Sequence, residues 1–452
     1  MYNLIIYLYL LGVAIASQFN EKVRKMWRGE RDAFRVLRDQ VDPKAHYVWF
    51  HAASLGEFEQ GRPLMEELRR RRPELKILLT FFSPSGYEVR KNYAGADIIC
   101  YLPLDTITNA RRFLRIIRPE VAFFIKYEFW YNYLHILKHR GVPVYSVSSI
   151  FREGQIFFRW YGRQYGRVLN CFTHFFVQNE KSRELLARIG LTNTTITGDT
   201  RFDRVLQIKE QAKQLDIVEQ FIKTPKAPLT SPKVKASLTS PRGDSIDNSL
   251  GVVSRHKVFI AGSSWLPDEE IFIRYFKEHP DWKLIIAPHV IGEDHLQQIE
   301  KLLDGRKVIR YTKVQSAEAP TSGLSPAEKL SKAVEGASVL IIDCFGLLSS
   351  IYHYGQVTYV GGGFGVGIHN VLEAAVWDAP VIFGPNNEKF QEAQELKAAG
   401  GGFDFQDYDD FKRLMDGFIA QPTRIKETGS KAGGYVKSKA GATPRILQAV
   451  GF

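Results

Sequence analysis

The feature that most constrains this chain is a long alternation of short apolar runs with amphipathic stretches. Runs at 47–52, 76–81, 97–101, 120–126, 142–147 and 174–177 are separated by segments of helical periodicity such as 58–72. The series restarts at 257–261, 282–287, 307–311, 338–343, 357–360 and 380–383. Strand-length runs that are apolar throughout, with helices between them, predict parallel sheets covered on both faces. A chain of 452 residues has room for two such cores.

The alternation is interrupted at 224–256, rich in Ser, Pro, Thr and Lys, which predicts a disordered linker or insertion. A second polar excursion, 313–330, predicts an exposed loop. The expected division is 1–20, an apolar membrane-anchor helix; 21–223, a first Rossmann-like domain; the linker 224–256; 257–425, a second Rossmann-like domain; and 426–452, a C-terminal helical segment. Ligands in doubly wound folds sit at the carboxyl ends of strands, so the two domains are expected to face a central cleft.

The N-terminus adds a constraint of its own. Residues 2–16 are almost wholly apolar, and Lys22, Arg24, Lys25, Arg28, Arg31, Arg35 and Arg38 follow them. A secretory signal places its charges before the apolar run. This order fits an anchor that spans the bilayer or lies in its interface, with the following domain on the cytoplasmic side. A buried first helix is the alternative. The net charge of +12 suits an anionic membrane or a phosphorylated substrate. No nucleic-acid-binding pattern accompanies it, so no nucleic acid partner is expected. Cys100, Cys171 and Cys344 are scattered, with neither zinc spacing nor a disulfide framework.

Four motifs follow apolar runs. His51-Ala-Ala-Ser-Leu-Gly-Glu57 opens a helix, and Glu57 is either a general base at a strand end or an ordinary acid in a first helical turn. Lys126-Tyr-Glu-Phe-Trp-Tyr-Asn132 places Glu128 among aromatics, where a carboxylate needs a partner or a task. Gly198-Asp-Thr-Arg-Phe-Asp203 offers Arg201 to a phosphate or carboxylate, unless Asp199 or Asp203 takes it. The glycine run from Gly361 to Gly367, including Gly362 and Gly363, leads into a helix expected from about Asn370. Its amides and the helix dipole suit an anion, and Glu373 suits ribose hydroxyls. Ala287-Pro-His289, Asp343-Cys-Phe-Gly-Leu347 and the turn from Gly384 are further strand-end elements. The pair Asp407 and Asp409 reads better as helix capping than as metal ligation.

These blocks in this order resemble the Kdo (3-deoxy-D-manno-octulosonic acid) transferases of lipopolysaccharide assembly. The likeness rests on HAASLGE at 51–57, EFWYN at 128–132, GDTRFD at 198–203, GSSW and LPDEE within 262–270, APH at 287–289, DCFG at 343–346, GGGFGVGIHNVLEAA at 361–375 and VIFGP at 381–385. The resemblance implies an α/β GT-B fold, with a lipid A precursor bound by the first domain and CMP-Kdo by the second. It implies an inverting transfer without metal or cofactor, at the cytoplasmic face of the inner membrane and in contact with its lipids. It casts Glu57 as general base and Glu128 and Arg201 as groups near the transition state. Pro288, His289, Phe345, Gly346, Leu347, Gly362, Gly363, Asn370, Val371, Leu372 and Glu373 fall on donor CMP positions. Three departures stand out: Tyr131 in place of a proline, Arg201 in place of a lysine, and no arginine between Pro288 and His289. Two rival readings remain: another GT-B nucleotide-sugar transferase or a UDP-sugar 2-epimerase, and a basic membrane- or nucleic-acid-binding protein without catalysis.

Overall fold

The computed structural model describes residues 2–224, 257–317 and 325–452. All of the expected linker except Thr224 lies outside the described residues. The chain divides into two compact units, Met1–Arg204 with Lys439–Phe452, and Val205–Ser438.

The first unit is built on a parallel sheet of β1 (Tyr47–Ala52), β2 (Lys76–Phe81), β3 (Ile98–Tyr101), β4 (Val121–Ile125), β5 (Val144–Ser149), β6 (His174–Val177) and β7 (Thr194–Ile196). Their order is β3-β2-β1-β4-β5-β6-β7. The order reverses between β1 and β4, which pair directly. Every residue of β1 is buried, and its alternate side chains serve two cores. Trp49 packs with Leu78, Phe113 and Phe124 on one face, and Val48 and Phe50 pack with Leu64 and Leu79 on the other. The final helix, Ala442–Val450, adds Ile446 and Leu447 to the second of these cores.

The N-terminal apolar run forms α1 (Tyr2–Phe19), followed by α2 (Glu21–Gln40). Asn20 turns the chain between them, its side chain accepting from the amides of Lys22 and Val23. Both ends of α1 are fastened to the first unit. Tyr2 Oη donates to Asp105 at 2.7 Å, and Asn132 donates to the Asn3 side chain at 2.8 Å. At the other end Val13 and Ser17 are buried, and Arg24 donates to the Ser17 carbonyl at 2.9 Å. By length and composition α1 is apolar enough to cross a membrane, but here it lies along the unit's surface. Tyr131 explains part of this: its ring stands 4.7 Å from that of Tyr2, a docking surface that proline would not provide.

The second unit repeats the plan with β8 (Lys257–Ser264), β9 (Trp282–Pro288), β10 (Val308–Arg310), β11 (Val339–Ile341), β12 (Val357–Val360), β13 (Val381–Phe383) and β14 (Gly402–Asp404). The order is β10-β11-β9-β8-β12-β13-β14, with the reversal between β8 and β12. Inside it, the buried Lys283 of β9 donates to the carbonyls of Phe221 and Thr224, fixing the helix Asp216–Lys223.

Two local expectations change. The excursion 313–330 is not simply a loop, because Tyr311–Ala317 and Pro326–Val334 are helical, while 318–324 lie outside the described residues. The sequence carries the reason: Ser325 and Glu328 form a reciprocal capping box, which starts a helix in polar surroundings. The strand β14 lacks an apolar run long enough to announce it. Asp407 does cap a helix, accepting from the Asp410 amide at 3.0 Å ahead of Tyr408–Ala420.

Candidate functional site

In each unit the motifs gather where the strand order reverses, at the carboxyl ends of the strands. This is the location at which doubly wound sheets bind ligands.

In the first unit, β1 runs into helix α3 (Leu55–Arg71), whose N-cap is Ser54. Glu57 lies in the first turn, and its carboxylate accepts from the Ala53 amide at 2.6 Å. A helix start alone would hold a carboxyl low. Here burial, and next the charge of Glu128, push Glu57 up to about 7. The Ala53 amide and Lys126 oppose this only in part.

Glu128 comes from the loop after the neighbouring strand β4, so the reversal point is what brings the two carboxylates together. Two donors converge on one oxygen of Glu128, His51 Nε2–H at 3.0 Å and the Trp130 indole N–H at 2.6 Å. A carboxylate only accepts, so Nε2 of His51 carries a proton. The other ring nitrogen of His51 meets the Thr80 hydroxyl at 2.9 Å, and Thr80 also accepts from the Trp49 indole at 2.8 Å. Sheet register makes this contact, since His51 and Thr80 are direct partners across β1 and β2. His51 is fully buried. Lys126, at the end of β4, has a left-handed backbone with φ of 64°. For a non-glycine residue that is strain, of the kind that collects at functional sites.

Arg201 reaches the same place. Asp199, itself 4% exposed, binds the Arg201 guanidinium at 2.8 Å and is held in turn by Gln60 at 3.1 Å. Asp203 does not compete for Arg201. It accepts from the amides of Gly441 and Thr443 and so caps the final helix. Tyr127 ties the group together. Glu57, Asp199, Arg152 and Arg201 all act electrostatically on its phenol, which burial raises above the ordinary value. The buried Tyr127 hydroxyl has no hydrogen-bond partner among the described residues. Glu57, Glu128 and Arg201 are therefore members of one cluster. His51, Thr80, Trp130, Lys126 and Tyr127 complete it, and the motifs alone assigned them no role.

In the second unit, Pro288 closes β9 and His289 follows it. The His289 ring is stacked 4.7 Å from Trp265 and 4.4 Å from His369. Burial lowers both imidazoles, His369 to about 4, so at neutral pH this is an uncharged aromatic platform. Gly362 lies against His369, and a Cβ there would come within 3.1 Å of the ring. Gly363 faces the Gly384 backbone, which a Cβ would meet at 2.5 Å. Asp268 pins the loop, accepting from the Gly362 amide at 3.0 Å, the Trp265 amide at 2.8 Å and the Tyr359 hydroxyl at 2.6 Å.

The glycine run differs from expectation in how it uses its amides. Those of Gly361, Gly362, Gly365 and Gly367 bond within the protein. The helix expected from Asn370 is one turn, Leu372–Ala375, too short for a substantial dipole. The glycines serve close strand packing first. Val371 and Leu372 are fully buried, and the Leu372 amide already donates to the Asn370 side chain at 3.2 Å. Glu373 accepts from Asn370 at 3.0 Å and from Ser349 at 2.6 Å. Ser349 stands two residues after the turn Phe345-Gly346-Leu347, in which Phe345 is exposed and Gly346 has φ of 89°.

Two Rossmann-like units, each with its polar cluster at a reversal point, define a protein of the GT-B class. Solved structures agree on that fold. A UDP-GlcNAc 2-epimerase from Neisseria meningitidis matches with a TM-score of 0.57 at 14% identity, over 89% of this chain and 99% of its own. Acinetobacter baumannii MurG matches with a TM-score of 0.50 at 9% identity, over 90% of this chain and 99% of its own.

Sequence relatives narrow the class. Residues 26–204 match the family model of 3-deoxy-D-manno-octulosonic-acid transferase (kdotransferase). The 3-deoxy-D-manno-octulosonic acid transferase of Aquifex aeolicus is 24% identical over 84% of this chain and 88% of its own length. That of Bordetella pertussis is 25% identical over 90% of this chain and 87% of its own. The first unit thus carries the Kdo-transferase domain, and the chain resembles the Kdo transferases over most of its length.

Proposed function

We propose that this protein is an inverting glycosyltransferase that moves Kdo from CMP-Kdo to a lipid A precursor of the lipid IVA type. It acts at the cytoplasmic face of the inner membrane and without a metal. The observation that carries the reading is Glu57. It is a carboxyl raised to about 7, at the reversal point of the unit that matches the family model. A base poised near the working pH is what removal of a hydroxyl proton requires.

In this reading Glu57 takes the proton of the acceptor hydroxyl as that oxygen attacks the anomeric carbon. The bond to the CMP phosphate breaks with its electrons on the phosphate oxygen. One oxygen of Glu128 is held by His51 and Trp130. With that oxygen held in place, it acts in this reading through its charge on Glu57. Arg201, oriented by Asp199, meets developing negative charge. In the second unit the uncharged Trp265, His289 and His369 stack suits a planar base better than a phosphate. Glu373 and Asn370 suit ribose hydroxyls, and Phe345, Gly346 and Leu347 border the nucleotide. The leaving group is a single phosphate ester, whose charge a guanidinium such as that of Arg201 can meet without a divalent ion.

The test is Glu57→Gln, assayed with CMP-Kdo and the acylated precursor. Turnover should fall by about 10²–10⁴-fold, the usual worth of a general base. Retained turnover would remove Glu57 from that role. Release of UDP instead of CMP from the matching sugar donor would favour a different GT-B activity.

A further inference from the structure

Beneath α1 the first unit holds a cavity of about 380 Å³ that the cluster around Glu57 does not use. One wall is a single helical face, Tyr2, Ile5, Ile6 and Tyr9, spaced i, i+3, i+4 and i+7. The facing wall is Phe82, Leu104, Phe129 and Trp130. Of the polar groups here, Tyr2, Asp105 and the Trp130 N–H are already engaged. Asp105 accepts from Tyr2 and from the Asn132 amide, and the Trp130 N–H is given to Glu128. A sugar placed here would leave its hydroxyls unpaired, whereas a hydrocarbon chain would not.

The cavity mouth is continuous with a larger apolar surface. Ile5 is 56% exposed and Tyr9 46%, beside the exposed Leu4, Leu8, Leu11 and Ile15 of the same helix. The next helix, α2, brings Lys22, Arg24, Lys25, Arg28 and Arg31 alongside. An apolar helix bordered by a basic one is complementary to an anionic lipid surface. The cavity also shares a wall with the catalytic cluster, because the Trp130 ring lines it while the same indole holds Glu128.

We propose that this cavity takes one acyl chain of the acceptor lipid, and so sets the acceptor sugar relative to Glu57. The proposal rests on the reading that the acceptor is an acylated sugar. It adds where the chain goes and that Trp130 reads its presence next to Glu128.

The test uses the full chain in vesicles of phosphatidylethanolamine and phosphatidylglycerol. A precursor bearing a diazirine at the end of one acyl chain should label α1, Phe82 or Trp130, and excess phosphatidylglycerol should not suppress the labelling. Labelling elsewhere overturns the proposal. So does labelling that phosphatidylglycerol removes, because the occupant is then bulk lipid. The wild-type transfer rate, measured separately, reports on the Kdo reading, which can fail while the labelling succeeds. Ile6→Trp, which fills the cavity, should raise KM for the acylated precursor about tenfold, the worth of roughly two unburied methylenes. The deacylated sugar acceptor serves as folding control and should keep its kcat/KM. An equal loss on both acceptors, or no change on the acylated one, contradicts the assignment.

Discussion

Glu57 combines two pressures that usually cancel. The helix start and the Ala53 amide favour its anion, while burial and Glu128 disfavour it more, leaving it near 7. The acid limb of kcat/KM should therefore fall near pH 7, with activity rising as Glu57 loses its proton. Glu128→Gln removes a like charge, so that limb should move to lower pH. An unmoved limb would show that Glu128 does not act on Glu57. The same shift has a cost in stability. A carboxyl whose native value is raised binds more protons folded than unfolded between about pH 4.5 and 7, so stability falls as pH rises through that window. Glu57→Gln should abolish that fall and raise the melting temperature at pH 8 relative to wild type, which calorimetry at pH 5 and 8 would show. The sequence offered Glu57, Glu128 and Arg201 as separate candidates, and the fold brings them into one cluster. The sequence did not separate Asp199 from Asp203 as the partner of Arg201, because both stand two residues away and only the position of the last helix decides between them.

At the scale of elements, the strands around the site were readable because they are buried on both faces and so apolar throughout. The short edge strand β14 was not, since three residues carry no periodicity. The link between His51 and Thr80 was latent in the sequence. Both are polar residues fifth in six-residue apolar strands, and parallel pairing in register joins them. Thr80→Val should leave the Trp49 indole and one nitrogen of His51 without their partner, at about 1–3 kcal/mol. Denaturant unfolding measures that loss, and an unchanged midpoint would discount the network. The glycine run was read as an anion cradle, yet its amides turn largely inward. What decides this is tertiary: the fixing of Gly362 by Asp268, and the packing of Gly363 against Gly384. Gly363→Ala should accordingly lower stability as well as donor affinity, because the obstacle at 2.5 Å is backbone. A loss of donor affinity alone would point instead to direct ligand contact.

At the scale of the whole molecule, two α/β units follow from the alternation and α1 from the apolar run at 2–16, whereas α2 was not read from the sequence. The sequence left open whether that run spans a bilayer, lies on it or is a buried helix. In the structure Asp105, Tyr131 and Asn132, far along the chain, hold one end of α1 against the first unit. The proposed reaction adds a sugar to a lipid, so the mass of the product reads it out. CMP-Kdo and the acylated lipid A precursor are incubated with wild type and with Glu57→Gln, with and without EDTA. Wild type should give a Kdo-extended lipid, unchanged by EDTA, and the variant essentially none. No mass gain with wild type, or equal product from the variant, would contradict it.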